Sequence, residues 1–324
     1  VLKEIGHIRF FGEARHRWPE AVTEWGEEAQ RTLRPGTLKR YLASLGQMRG
    51  ILDALYVDEI NKKTISRIAF RKDISNATRR RDLTAVSAVL KYCIAKSWRE
   101  DNPAKAFDRS HIKEKRDPIV LPSEADIDTV IAAAPGNFAH MIRWAQYTGM
   151  REEECASLER ADISLPRRAA QLNRTKTNRP RSVPLDDRAL DVLTAIPTSL
   201  HSKFIFWHEP APRYERHYQR DDPKHYRYSN VAANFCAIVS RARRTAKRTG
   251  RAEPRAFRFH DLRHWFAVDY LRRAGSIYTL QQILGHASLT TTEIYLRHLT
   301  PDEQLVAKRI GGTKGGTDGG GFSS

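Results

Sequence analysis

The stretch RSHIKEKRDPIVLP, residues 109–122, constrains the fold most: dense charge and two prolines interrupt both helical and strand periodicity there. Apolar residues recur at regular spacing on either side, so the stretch reads as a linker between separately packed units. At about 150 residues per domain, 324 residues predict about two domains. The boundaries that follow are a helical unit over 1–108, the linker 109–122 and a second unit over 123–310. The last fourteen residues, 311–324, hold seven glycines and read as a disordered tail.

Before the linker the pattern is helical. Pro35-Gly36-Thr37 is a turn leading into a helix, with Leu38, Tyr41, Leu42, Leu45 and Leu52 at helical spacing. Another helix follows Ser75, its apolar face made by Leu83, Val86, Leu90, Ile94 and Trp98, and Asn102-Pro103 ends the region. Beyond the linker, Ser123 and Asp126 form a capping box. Phe138, Met141, Ile142 and Ala145 mark a helix that stops at Thr148-Gly149. Residues 168–174 and 181–185 pair as a short hairpin, and 205–229, polar and histidine-rich, form a long loop or insertion. Val231, Phe235, Ile238, Val239 and Ala242 start a further helix that runs into the basic run Arg241–Arg255. The fold class is therefore mainly α with a small antiparallel β-sheet in the second unit.

Charge narrows the partner. Lys and Arg number 56 against 38 Asp and Glu, a formal charge of +18. Nucleic acid is the first candidate for a polyanionic partner and an acidic membrane surface the second. The second lacks a basic-faced amphipathic segment with exposed aromatics. No apolar run approaches the roughly 18 residues of a membrane span, and no secretory signal opens the chain. The start at Val1 rather than Met points to a missing N-terminus. Cys93, Cys155 and Cys236 are few, odd in number and far apart, which argues against a disulfide framework and for a reducing compartment. No Cys-x-x-Cys spacing suggests zinc.

Basic residues in the first unit include Lys39, Arg40 and the run Arg79, Arg80, Arg81 near a helix start, where the dipole disfavours cations. That run is either a solvated face or a set of phosphate contacts. Arg243 and Arg244 are the corresponding candidates in the second unit.

Four clusters there could carry chemistry. Thr148-Gly149-Met150-Arg151 puts an arginine at the opening of a helix, with Glu154 three residues on to buttress it or simply to pair with it on the surface. Lys176 sits at the tip of the hairpin QLNRTKTNRPRSVPL. In FHDLRHWFA, His260 and Arg263 lie three apart, either a phosphate clamp or a surface pair, on a helix that buries Leu262, Phe266 and Tyr270 and ends at Gly275. In LGHASLTTTEIYLRH, Gly285 closes a helix, His286 follows in a loop, and Tyr295 falls in the next short helix, where a core tyrosine is the ordinary alternative.

Arg, Lys, His-x-x-Arg, His and Tyr in that order resemble the catalytic domain of the tyrosine recombinases, or phage integrases. The resemblance covers about residues 20–300, and PGTLKRY and SNATRRRDLTAVSAVLKY resemble the family's helical core-DNA-binding domain. It implies that Arg151 and Arg263 hold the scissile phosphate, Lys176 protonates the 5′ leaving oxygen and His260 assists proton transfer. It further implies that His286 donates to the phosphate and Tyr295 is the nucleophile. Trp265 stands where a small residue is expected, and the lysine turn reads TKTNRP without glycine, leaving Arg174 or Arg179 as substitutes for Lys176.

The chemistry is self-consistent. Two guanidiniums and imidazole donors suit an anionic transition state without a metal. A tyrosine with pKa near 10 needs cationic neighbours and a base, and no P-loop is present. The expected function is a site-specific DNA recombinase acting through a 3′-phosphotyrosyl intermediate, with no cofactor. Its alternatives are a type IB topoisomerase-like strand transferase and a catalytically silent DNA-binding protein of the same fold. Double-stranded DNA is the expected partner, in the cytoplasm at the bacterial nucleoid, with accessory DNA-bending or directionality factors. Past Tyr295, Pro301 to Ile310 forms a terminal helix that either packs on its own core or, as the resemblance implies, docks on a neighbour. The resemblance thus implies a monomer in solution and a homotetramer on paired sites.

Overall fold

Local capping sets most helix starts. Ser75 accepts a hydrogen bond from the Thr78 N–H, and Ser123 with Asp126 closes the reciprocal box that the spacing predicts. The computed structural model describes residues 15–114, 119, 121–173, 180–199, 202–208 and 227–309. The chain divides after Asp117 into two units, each with its own core.

The first unit is helical: α1 (Trp18–Thr32), α2 (Pro35–Gly46), α3 (Arg49–Leu52), α4 (Lys62–Ala69), α5 (Asn76–Ala95) and α6 (Pro103–Ala106). Helix α5 touches α1, α2, α4 and α6. It buries Leu83, Val86, Val89 and Leu90 against Trp18, Ile65 and Ile68, at roughly 1.5–3 kcal/mol for each large apolar side chain. Three sequence expectations shift. Leu42 is 41% exposed, because α2 buries a narrower stripe of Leu38 and Leu45. Asn102-Pro103 starts a helix instead of ending the region: Asn102 caps α6 by accepting the Lys105 N–H. Ile112, inside the expected linker, is buried in the first core, while Ile119 and Leu121 pack on the second.

The second unit contains α7 (Glu124–Ala132), α8 (Gly136–Thr148), α9 (Glu152–Ala156), β1 (Ile163–Ser164), β2 (Ala169–Leu172), β3 (Arg181–Pro184) and α10 (Asp187–Ala195). After them come α11 (Val231–Arg248), α12 (Phe259–Arg272), α13 (Ile277–Leu284), α14 (Thr290–Glu293), a 3-10 turn (Ile294–His298) and α15 (Pro301–Lys308). The sheet runs β1-β2-β3, all antiparallel, with Ala170 opposite Val183 and Leu172 opposite Arg181. The hairpin is where the sequence places it, with β1 as an added edge strand. Helices α8 and α12 form the centre, joining Phe138, Met141 and Trp144 to Leu262, Phe266 and Leu271.

Gly149 ends α8 at φ +62°, and a Cβ there would lie 2.3 Å from the Phe266 ring, so both backbone and packing require glycine. At the end of α12 the left-handed residue is Ala274, not Gly275; Gly275 instead donates its N–H to the Tyr270 carbonyl. The stretch that reads as an insertion from 205 begins inside the core, with Ile205 and Phe206 fully buried; residues 209–226 lie outside the described residues, as does the tail 311–324. Helix α15 packs on α12 and α13 through Ala307 and leaves Leu305 65% exposed. Among the described residues, no helix is long and apolar enough to cross a membrane.

Candidate active site

Arg151 stands at the N-cap of α9, and the carboxylate of Glu154 accepts from both its backbone N–H (2.8 Å) and its guanidinium (2.9 Å). The buttress foreseen for Glu154 is present, but a larger partner was missed. Arg181 on β3 donates to both Glu154 oxygens, at 2.8 and 2.6 Å, and through Nε to the Ile283 carbonyl at 2.7 Å. One buried carboxylate thus ties the hairpin, the start of α9 and the end of α13 together. Burial pushes the Glu154 carboxyl up, but Arg181 and then Arg151 hold it down at about 2.

Arg263 on α12 is buried, at 2% exposure. Its Nη1 donates to the Gly149 carbonyl at 2.8 Å and its Nη2 to the Leu284 carbonyl at 2.5 Å. Those carbonyls close α8 and α13, so the cation sits at the negative ends of two helices. Burial, then Arg151 and Arg181, press its pKa down to about 9, leaving it charged at neutral pH.

Donor accounting settles two tautomers. Arg263 Nη2 also lies 3.0 Å from His286 Nε2; a guanidinium only donates, so Nε2 accepts. His286 Nδ1 then carries the proton and donates to Thr292 Oγ1 at 2.9 Å, and Thr292 is itself fully buried. Burial and the nearby arginines, Arg263 first, lower His286 to about 4, so it is neutral at pH 7. Tyr295 is 1% exposed, and its hydroxyl lies 3.0 Å from His264 Nδ1. Were the imidazole the donor, the buried phenol proton would lack an acceptor among the described residues, at about 1–3 kcal/mol. Tyr295 therefore donates and His264 Nδ1 accepts. Burial raises the Tyr295 phenol, with Arg263 and Arg151 pulling the other way.

The structure thus gathers Arg151, Glu154, Arg263, His286 and Tyr295. His260 lies exposed on the turn before Arg263, its ring 4.8 Å from that of His264. Arg263 turns inward to the helix ends, and His260, one turn earlier and exposed, still lies close enough to feel its charge and that of Arg151. Lys176, Arg174 and Arg179 lie outside the described residues. Arg181, His264 and Thr292 were missed. His264 could have been found as the i+4 partner of His260, whereas no local signal marks Arg181 or Thr292. Three guanidiniums against one carboxylate leave a net positive site suited to an anion.

The basic candidates divide. Lys39, Arg40, Arg81 and Arg244 are exposed, whereas Arg243 pairs with Glu253 at 3.2 Å. Arg79 donates to Asn76 Oδ1 and to the Arg71 carbonyl, both at 2.7 Å, and Arg80 to the Ile112 carbonyl at 3.2 Å. These two brace the first unit, and α5 tolerates cations at its start because neighbouring acceptors neutralise the unfavourable placement.

A helical unit followed by a mixed one that brings two arginines, a histidine and a tyrosine together defines a tyrosine recombinase architecture. Residues 124–301 match the phage integrase family, and the chain belongs to it. It is 27% identical over 239 residues to the integrase of Escherichia phage P2, covering 74% of this chain and 60% of that protein. It is 34% identical over 158 residues to tyrosine recombinase XerC of Listeria welshimeri, covering 48% of this chain and 47% of the relative. The chain thus spans about half to three-fifths of these two relatives. A lambda integrase tetramer bound to a Holliday junction has the same fold, with a TM-score of 0.63 at 18% identity over 83% of this chain and 77% of that one.

The Glu154 carboxylate gives a pH prediction. Its pKa is lower folded than unfolded, so its pairing stabilises fully above about 4.5 and is lost as pH falls toward about 2. That difference corresponds to roughly 3 kcal/mol. Glu154→Gln is expected to lower stability by about that amount at neutral pH and to flatten the acid limb in urea unfolding across pH. An unchanged acid limb would exclude Glu154 as the group responsible.

Proposed function

We propose that this chain is a site-specific DNA recombinase that cleaves and rejoins duplex DNA through a 3′-phosphotyrosyl intermediate, needing neither metal nor ATP. The observation that carries the reading is the convergence of two anchored arginines with His286 and a buried, hydrogen-bonded Tyr295 within a chain of this family. Arg151 and Arg263 hold the scissile phosphate and neutralise charge gained at its equatorial oxygens. His286 reaches the phosphate through Nε2. That atom now accepts from Arg263, so an arriving phosphate supplies the negative charge that draws a proton onto it while Nδ1 stays on Thr292. His260 assists proton transfer at the rim, Lys176 protonates the 5′ leaving oxygen, and Tyr295 attacks phosphorus. The energy of the broken strand is kept in the phosphotyrosine, so rejoining needs no ATP.

Duplex DNA is the partner, gripped by the helical DNA-binding unit and the catalytic unit, with accessory bending or directionality factors. The protein acts at the nucleoid, as a monomer in solution and a tetramer on paired sites. The tetramer of the lambda integrase on its junction and the exposed Leu305 on the terminal helix support that assembly.

A nicked duplex carrying the junction sequence that flanks the gene tests the reading: a covalent protein–DNA adduct is expected, and its absence rejects it. Strand exchange between two such sites then separates a recombinase from a topoisomerase-like transferase.

Salt dependence gives another prediction. Contact with some 6–10 phosphates implies a loss of about 10³–10⁵ in affinity between 50 and 200 mM salt. Replacing both Arg243 and Arg244 by alanine is expected to reduce the log–log salt slope by about 2. An unchanged slope in a filter-binding titration would remove these two residues from the DNA contact.

A further inference from the structure

We propose that His264 is the proton acceptor for Tyr295 during strand cleavage, a role that rests on Tyr295 being the nucleophile. The two side chains meet at 3.0 Å between Oη and Nδ1, both buried, with ring centroids 5.6 Å apart at 53°. Donor accounting makes Nδ1 the acceptor, so the lone pair already faces the proton that must leave. His264 follows Arg263 directly in α12, so one helix presents the guanidinium clamp and, one residue on, the acceptor for the nucleophile.

The groups around the imidazole are His260, Asp261 and Arg263 on its own helix, Arg258 at the start of that helix, and Tyr295 from the 3-10 turn. His286 stacks behind the tyrosine ring at 6.5 Å. Burial first, and then His260, lower the His264 pKa to about 4, so its lone pair is free at neutral pH.

In the step itself the Tyr295 O–H bond breaks and its proton passes to Nδ1. Oη bonds to phosphorus, the P–O5′ bond breaks, and the leaving 5′ oxygen takes a proton from the acid on its own side. A free phenol is too basic to yield its proton to this imidazole. As Oη bonds to phosphorus its basicity collapses, so proton transfer and attack proceed together. Rejoining reverses the path and returns the proton to Tyr295.

The test is single-turnover adduct formation on the nicked junction duplex between about pH 6 and 9, with DNA affinity measured alongside. His264→Asn places an oxygen near the Nδ1 position and can accept the hydrogen bond, but it cannot hold a proton. It is expected to bind DNA normally and to slow cleavage by about 10²–10⁴-fold, the usual contribution of a general base. Its rate should rise about tenfold per pH unit as hydroxide replaces the imidazole, whereas the wild-type rate stays flat. A His264→Asn rate equal to wild type, or a slower rate with a flat profile, would overturn the proposal; the second outcome leaves His264 as a positioning residue only. Independently of cleavage, ¹⁵N spectra of the intact protein should show His264 protonated at Nε2, with an Nδ1 signal that moves in Tyr295→Phe. A proton on Nδ1 would overturn the proposal even if the Asn variant failed to fold. Adduct formation by Tyr295→Phe would instead reject the nucleophile assignment on which the proposal rests.

Discussion

Tyr295→Phe is expected to bind junction DNA with wild-type affinity and to form no covalent adduct. The variant keeps the ring that fills the core beside His264 and His286 and loses only the hydroxyl proposed to attack. Its structural cost is the buried His264 Nδ1 left without a donor, about 1–3 kcal/mol, too little to unfold a core that joins α8, α12 and the 3-10 turn. The expected effect on rate is far larger, because the oxygen proposed to attack phosphorus is removed. Single-turnover assays with denaturing electrophoresis measure the adduct, and gel shift measures binding. Any adduct would show that Tyr295 is a packing residue. If it mapped to Tyr278 or Tyr270, the nucleophile would have to be reassigned to that position.

Arg263→Lys should lose at least about 10² in cleavage rate, the cost of removing one preorganised donor from a developing oxyanion. Charge is kept, so the loss comes from geometry. The guanidinium holds the Gly149 and Leu284 carbonyls and His286 at once, and an ammonium on a flexible stem cannot span all three. A buried carbonyl left without its donor costs about 1–3 kcal/mol, so unfolding stability should fall as well. Arg151→Lys provides the contrast. Arg151 is 21% exposed at its side chain and bound to one carboxylate, so the same substitution should cost a comparable factor in rate with less loss of stability. If Arg263→Lys cleaved at the wild-type rate, the arginine would be a structural brace for the ends of α8 and α13 and not part of a phosphate clamp.

The sequence alone determined the features that close within a few residues. Ser75 caps α5 and Ser123 pairs with Asp126 because donor and acceptor lie three positions apart. Gly149 and Gly285 end their helices because left-handed backbone favours glycine. Helical periodicity separated two units, and the order of Arg, His-x-x-Arg, His and Tyr pointed to the family. Local reading failed where a neighbour took the expected role. Ala274 occupies the left-handed position expected of Gly275. The charged, proline-bearing surroundings of Ile112 concealed its burial.

Only the tertiary structure decided how the site is held. Arg181 meets Glu154 across 27 residues of chain, Tyr295 meets His264 across 31, and Arg263 reaches Gly149 across 114. Such pairings leave no periodicity in the sequence, because they arise from the packing of α8, α12, α13 and the hairpin around one core. The tautomers of His264 and His286 belong to the same level. In a folded protein the hydrogen bond at one imidazole nitrogen sets the proton on the other, and here the deciding partners are a donor-only guanidinium and a buried hydroxyl with a single acceptor.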